Sequence, residues 1–376
     1  MASSPFKSFF QGGFESSTHR RKDGRRLDVI AATAHDLYAE SDYTLLQSIG
    51  IKTVRDALRW HLIEKTPLSY DWSSFLPMLR AARLAKTQVI WDLFHYGWPD
   101  DLDIWSPKFV DRYAAFAGAT AKLIRDETSE IPLYVPINEI SYTSWAGGEE
   151  GTFNPYGEGR GEELKIQLVR AAIAGIEAIW EVEPRARILH VDPAINVIPT
   201  KGNAASERYA TRYNATQFEA WDMLSGRLNS ALGGSPRYLD IIGINYYNNN
   251  QWTVAGRTVK YTNPRAQRFL DMICENYQRY ERPILIAETG TEGKLRPEWF
   301  KYICGEVWEA LAREVPVLGI CLYPILNHPG WVDDRHCANG LIDYSRKTFV
   351  RSFETELLQE YYTQLSNWRN REALDV

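Results

Sequence analysis

Eight short β-rich runs recur along the chain, each followed by a helical pattern or by a long loop that leads into one. They are FFQGGFES from Phe9, TVRDALRW from Thr53, QVIWDLFH from Gln88, LYVPINEI from Leu133, RILHVDPAI from Arg187, IIGINYY from Ile241, ILIAETG from Ile284 and VLGICLYPI from Val317. Amphipathic stretches lie between them: Ser41 to Leu46, Phe75 to Ala85, Pro107 to Asp126, Gly161 to Glu183, Gln217 to Leu232, Pro264 to Tyr280 and Pro297 to Arg313. Strands that are apolar almost throughout need both faces covered, which predicts a parallel sheet wrapped by helices. Eight such units in 376 residues fit a single (β/α)8 TIM barrel with enlarged βα loops. An open doubly wound sheet is the alternative, but that fold carries a Gly-rich phosphate turn after its first strand, and QGGFES has the wrong spacing. No linker, low-complexity segment or internal repeat divides the sequence, so residues 1–376 read as one domain.

Composition narrows the function classes. A formal net charge of −5 offers no basic footprint for nucleic acid, and no run approaches the roughly 18 apolar residues that cross a bilayer. The opening MASSPFKSFFQGG lacks the apolar core of a secretory signal, and the expectation is a cytoplasmic protein. Cys274, Cys304, Cys321 and Cys337 are widely spaced with no C-x-x-C, which signals neither a zinc site nor a disulfide framework. His190 and Asp192 in ILHVDP lack a third ligand at suitable spacing, so neither metal nor cofactor is expected. Several of the 13 Trp, 21 Tyr and 14 Phe sit in loops beside Gly, Asn and Asp, as in HYGWPDDLDIW and NHPGWVDD, where flat apolar faces could meet a ligand.

In such barrels the chemistry gathers where strands end and βα loops begin. In chain order those ends carry Glu15, Arg55, His95 with Trp98, Asn138 with Glu139, Asp192, Asn245 with Tyr247, Glu288, and Tyr323 with the segment ending at Trp331. A purely structural role would favour apolar residues or simple caps at most of these places. Glu139 and Glu288 close the fourth and seventh strands, which lie across a closed barrel from one another. Two carboxyls facing each other over a cavity suit acid and nucleophile chemistry on a glycosidic bond, because one must be protonated while the other is ionised. A nearby cation such as Arg55 favours the ionised form of one of them. Asp92, in mid-strand, reads as a partner for a buried Arg or backbone group.

As a set these residues resemble the retaining glycoside hydrolases of the large (β/α)8 clan, and in finer detail family 1, the β-glucosidases and β-galactosidases. The points of likeness are Arg55 and Trp60 in VRDALRW, His95 in FHYGWPDD, Asn138-Glu139, Asn245 and Tyr247 in GINYY, Glu288-Thr289-Gly290, and Trp331 followed by NGLIDY. The resemblance implies Glu139 as acid/base and Glu288 as nucleophile, with a carbohydrate as the bound partner. It further implies that Asn138 bonds the sugar 2-hydroxyl, that Arg55 and Tyr247 hold the nucleophile ionised, and that His95 and Trp331 line the glycone pocket. Glu15, Trp98 and Asn245, read from their places at the strand ends, complete the expected substrate-binding set.

The sequence also departs from that family. Ile140 follows Glu139 where the family has Pro, Thr289 replaces Asn, GGFESSTHR replaces the first-strand Gln-x-Glu-Gly, and NHPGWVDD replaces the Asn-x-Glu-Trp loop. A sugar-binding barrel without turnover and a transglycosidase with the same covalent intermediate are the competing functions. The run His19 to Arg26 is read as a solvated loop or as a contact for an anionic substrate group. The loops Glu149 to Gly161 and Asn248 to Arg265, the second a hairpin turning at Ala255-Gly256, are expected to overhang the pocket on the leaving-group side.

Overall fold

The computed structural model describes residues 4–374; residues 1–3 and 375–376 of the single-domain reading lie outside the described residues. Eight parallel strands close into a barrel: β1 (Phe10–Gly13), β2 (Thr53–Ala57), β3 (Gln88–Asp92), β4 (Leu133–Val135), β5 (Arg187–Pro193), β6 (Ile241–Asn245), β7 (Ile284–Thr289) and β8 (Val317–Leu322). Each strand pairs with its neighbours in sequence order, and β1 closes the ring on β8 with Phe10 opposite Ile320. The (β/α)8 expectation holds.

Alternation along the strands divides the core in two. Ile90, Leu133, Val135, Leu189, Val191, Ile241, Leu285 and Ala287 pack against one another inside the barrel. Their sequence neighbours Trp91, Tyr134, Ile188, Ile242 and Ile286, with Val54 and Ile244 from the same strands' outward faces, belong to the larger core shared with the helices. Burial on both faces is why these strands read as continuous apolar runs.

The helices of the barrel layer are α1 (His35–Ser48), α2 (Leu76–Leu84), α3 (Pro107–Glu127), α4 (Gly161–Val182), α5 (Glu219–Leu224), α6 (Phe269–Tyr280), α7 (Arg296–Ala312) and α8 (Thr355–Leu374). The expected helix from Gln217 to Leu232 shrinks to α5, flanked by single 3-10 turns. Gly226 ends it, with φ of 79° and no room for a side chain, since a Cβ there meets the Gly234 carbonyl oxygen at 2.6 Å. The helix Ala204–Ala215, between β5 and β6, is an addition that the sequence reading did not contain.

One irregularity positions the site. On β7, Ile286 pairs with Ile244 and Glu288 with Asn245, so Ala287 is the extra residue of a bulge. In a regular strand Ala287 and Glu288 face opposite sides; the bulge lets Ala287 fill the interior while Glu288 also turns toward the barrel axis.

Candidate active site

Glu139 sits just past β4 in a left-handed conformation, with φ of 46°. For a residue with a Cβ this conformation costs about 1–3 kcal/mol and persists only when the surroundings impose it. Here they do. The Asn138 N–H donates to the Phe94 carbonyl at 2.9 Å and the Glu139 N–H to the Val191 carbonyl at 3.1 Å, which ties the turn to both neighbouring strands. The Ser141 N–H and hydroxyl donate to Asp192 at 2.9 and 3.2 Å. Burial raises the Asp192 pKa to about 8, with the nearby Glu139 charge adding to the shift. The turn brings the adjacent Asn138 and Glu139 side chains into one buried cluster.

Glu288 is held on both oxygens. Arg55 Nη1 donates to Oε1 at 2.5 Å and the Tyr247 hydroxyl donates to Oε2 at 2.7 Å. Burial raises the Glu288 pKa to about 7; Arg55 opposes the rise, and the Glu139 charge adds to it. Glu288 therefore holds a proton up to near neutrality. Arg55 is itself fully buried, and an isolated guanidinium there is very costly. Asp92 compensates it, accepting from Nε and Nη2 at 2.9 and 2.6 Å, while Nη2 also donates to Asn138 Oδ1 at 2.6 Å. Asp92 is thus the partner of a buried Arg that the sequence implied.

The rest of the predicted set falls around this centre, with one exception. Asn245 Nδ2 donates to Glu139 Oε1 at 2.9 Å. His95 Nδ1 lies 2.8 Å from Asp92 Oδ2, and His95 Nε2 lies 3.3 Å from the Tyr323 hydroxyl. Burial alone lowers the His95 pKa, but the bond and charge of Asp92 and the charge of Glu15 leave it raised. Glu15 accepts from the Ser17 N–H at 2.9 Å and from Trp331 Nε1 at 3.3 Å. Burial works to raise its pKa, but His95, His328 and Ser17 together lower it. Trp98 is the exception. Its Nε1 donates to the Leu102 carbonyl at 2.9 Å and its ring stacks on Phe94 at 5.9 Å, which makes it part of the core beside Phe109 rather than of the pocket.

Two residues of the site carried no assigned role in the sequence. Tyr323, noted only as a strand end, stacks parallel to His95 with centroids 6.2 Å apart and lies 5.4 Å from the Arg55 guanidinium carbon. Tyr96 donates its hydroxyl to Glu139 Oε2. Its signal was adjacency to His95, but the left-handed φ of 66° that turns it inward is invisible in sequence. Gly97 makes that turn possible: a Cβ there meets Thr18 Oγ1 at 1.9 Å, so only glycine lets the loops after β1 and β3 lie together.

The surrounding loops divide. Glu149 to Gly161 brings Phe153 against Tyr96 at 5.1 Å, Trp331 at 5.5 Å and His19 at 4.3 Å, so this loop does reach the site. The Asn248 to Arg265 hairpin turns as expected, with φ of 77° at Gly256, but its Gln251–Thr253 strand pairs with Asn196–Ile198 and Trp252 packs on Tyr213. In the basic run, Arg20 and Arg26 both grip Asp100, and Arg21 and Arg25 both grip Asp334. These arginines clamp the loop after β1 to those after β3 and β8, a role distinct from both earlier readings. Asn245 Oδ1 and His19 Nδ1 are buried without a protein partner, as suits a pocket for a hydroxyl-rich ligand. No group of three or more His, Cys, Asp or Glu that could hold a metal ion occurs among the described residues.

The closed parallel barrel is the (β/α)8 fold, which solved β-glucosidases share. A family 1 β-glucosidase from Thermotoga maritima superposes with a TM-score of 0.74 at 13% identity, covering 89% of this chain and 87% of that one. A β-glucosidase from the same organism in complex with glucoimidazole gives 0.76 at 15% identity over 97% and 98% of the two chains. The AHE enzyme from Alicyclobacillus herbarius gives 0.76 at 14% identity over 98% and 99%. At these identities the likeness is one of fold. No protein-family model matches the sequence, and no curated protein matches it significantly.

Proposed function

We propose that this chain, residues 1–376 acting as one catalytic unit, is a retaining β-glycoside hydrolase. The observation that carries the reading is the unequal holding of two buried glutamates on opposite strands. Glu288 is gripped by a guanidinium and a phenol, donors that favour its anion, whereas Glu139 faces only neutral donors. A protonated acid opposite an anionic nucleophile is what double displacement at an anomeric carbon requires.

In the first step Glu139 transfers its proton to the glycosidic oxygen as that C–O bond breaks, and a Glu288 oxygen bonds to the anomeric carbon. In the second, Glu139 takes a proton from water, the water oxygen bonds to the anomeric carbon, and Glu288 leaves as carboxylate. Asn138, fixed by Arg55, is placed for a sugar hydroxyl, and the unpartnered Asn245 Oδ1 can accept from another. His95, Glu15 and Trp331 supply polar and aromatic contacts for the glycone. The T. maritima β-glucosidase bound to glucoimidazole, a protein of the same fold, supports a sugar as the ligand class. All four cysteines are free, in keeping with a reducing, cytoplasmic compartment, and no described helix is long and apolar enough to cross a membrane.

The test is the anomer first released from an aryl β-glycoside, read by proton NMR. Retention is expected, and inversion overturns the mechanism. Glu288→Gln and Glu139→Gln should each abolish turnover of unactivated substrates. Sugar binding without turnover across a substrate panel instead supports the silent binding barrel. Products longer than the substrate support the transglycosidase.

A further inference from the structure

The two oxygens of Glu139 face chemically different partners. Oε1 accepts from Asn245 Nδ2, an amide N–H that can only donate. Oε2 faces the Tyr96 hydroxyl, which can donate or accept. When Glu139 is ionised both oxygens accept and both partners are satisfied. When it is protonated, a proton on Oε1 points at a donor, so the proton belongs on Oε2, where the phenol oxygen can receive it by turning its own hydrogen away.

Resting on the acid/base role given to Glu139 above, we infer that Tyr96 is a positioning residue acting as a hydroxyl switch: it donates to the Glu139 carboxylate and accepts from the Glu139 acid, fixing the transferable proton on Oε2. The tyrosine is well built for this. Its ring is buried edge-on against His95 at 4.9 Å, Phe153 at 5.1 Å and Trp331 at 5.6 Å, so the hydroxyl can rotate while the ring cannot wander. Burial, with Glu139 and Glu288 nearby, raises its own pKa well above the usual phenol value, which keeps it a neutral hydroxyl at working pH. The left-handed backbone at Tyr96 is matched by the left-handed backbone at Glu139. Two strained turns from adjacent strands thus aim their side chains at each other.

Other ionisable groups also act on Glu139: Glu288 and Tyr247 across the barrel, Asp192 on β5 and Tyr142 on its own turn. The experiment must therefore separate Tyr96 from these. Tyr96→Phe keeps the ring and its packing and removes only the hydroxyl. In full-length protein labelled with carbon-13 at the glutamate carboxyls, the Glu139 resonance is identified by its loss in Glu139→Gln and followed against pH. The switch predicts that the Glu139 titration moves up by about one pH unit in Tyr96→Phe, because the anion loses a donor. The alkaline limb of kcat/KM should follow it. With an activated aryl leaving group, where the water step limits, kcat should fall about tenfold as the base loses its orienting partner. An unmoved Glu139 titration, or a pH profile that differs from wild type only by a constant factor, overturns the inference and leaves Tyr96 a packing residue. The carboxyl titration needs no turnover, so an inactive wild-type protein would sink the hydrolase reading while the titration still decides whether Tyr96 governs the Glu139 proton.

Discussion

Tyr247→Phe isolates the hold on the proposed nucleophile. The substitution removes one hydroxyl, 2.7 Å from Glu288 Oε2, and leaves Arg55 on Oε1. A hydrogen bond to an ionised group contributes about 1.5–3 kcal/mol. At 1.36 kcal/mol per unit, losing it from the anion raises the proton affinity of Glu288 by about 1–2 pH units. Because Arg55 still grips the carboxylate, the lower end of that range is expected. Glu288 already has its pKa raised to about 7 by burial, so the acidic limb of kcat/KM should lie near neutrality in the wild type and near pH 8 in the variant, about 1 unit higher. Activity in the acid falls because more of the nucleophile is protonated: a pH unit below the wild-type limb the variant should be about tenfold slower, and above both limbs the gap should narrow. The assay is kcat/KM for an aryl β-glycoside from about pH 5 to about 9. A variant whose profile keeps the wild-type limb would show that Tyr247 does not stabilise the reactive anion, and the assignment of Glu288 would lose its main electrostatic support.

Arg55→Ala strands Asp92 and Glu288 in the interior and should lower stability by about 3–5 kcal/mol, read as a large loss of Tm; a Tm within a few degrees of wild type would contradict the buried network. Above about pH 6.5 the native state should weaken as pH rises. His35, raised to about 9 by Asp56 and Asp42 against the effect of burial, contributes stability that is full below its unfolded value and lost as pH rises through 9. Asp192, raised to about 8, adds a growing cost over the same approach, so Asp192→Asn should gain on wild type as pH climbs toward 8; Tm against pH for both proteins checks this, and a flat wild-type curve refutes it. Gly97→Ala forces a contact with Thr18 and should cost about 1–3 kcal/mol while impairing turnover, because Tyr96 moves with that turn. Equal activity and Tm in that variant would show the two loops to be freely separable.

Much of the barrel was legible because its physics repeats. Both-face burial makes each strand an apolar run, and the residue after each run is placed at the mouth by topology alone. That is how Arg55, His95, Asn138, Glu139, Asn245, Tyr247 and Glu288 could be gathered into one site from separate segments. Trp98 misled because an aromatic beside Gly and Pro looks exposed, whereas its indole N–H is satisfied by the carbonyl of Leu102 and its ring by Phe94. Tyr96 escaped notice because its role depends on a backbone dihedral and on a glycine whose close neighbour, Thr18, is remote in sequence. The arginine clamps were equally hidden, since Arg21 and Arg25 find Asp334 only after the ring has closed. The expected helix through Leu232 failed where Gly226 approaches the Gly234 carbonyl, a tertiary contact that overrides local propensity.

The bulge at Ala287 makes the proposed chemistry a matter of counting as much as of composition. Pairing Ala287 with Asn245 in regular alternation would leave every proposed catalytic side chain in the sequence, yet turn Glu288 to the opposite face, out among the helices. In a descendant of this chain that lost the bulge while keeping Ala287, Glu288 could therefore be kept letter for letter while its access to substrate was lost. The pairing register of β7 would then discriminate active from silent relatives better than the presence of the glutamate itself.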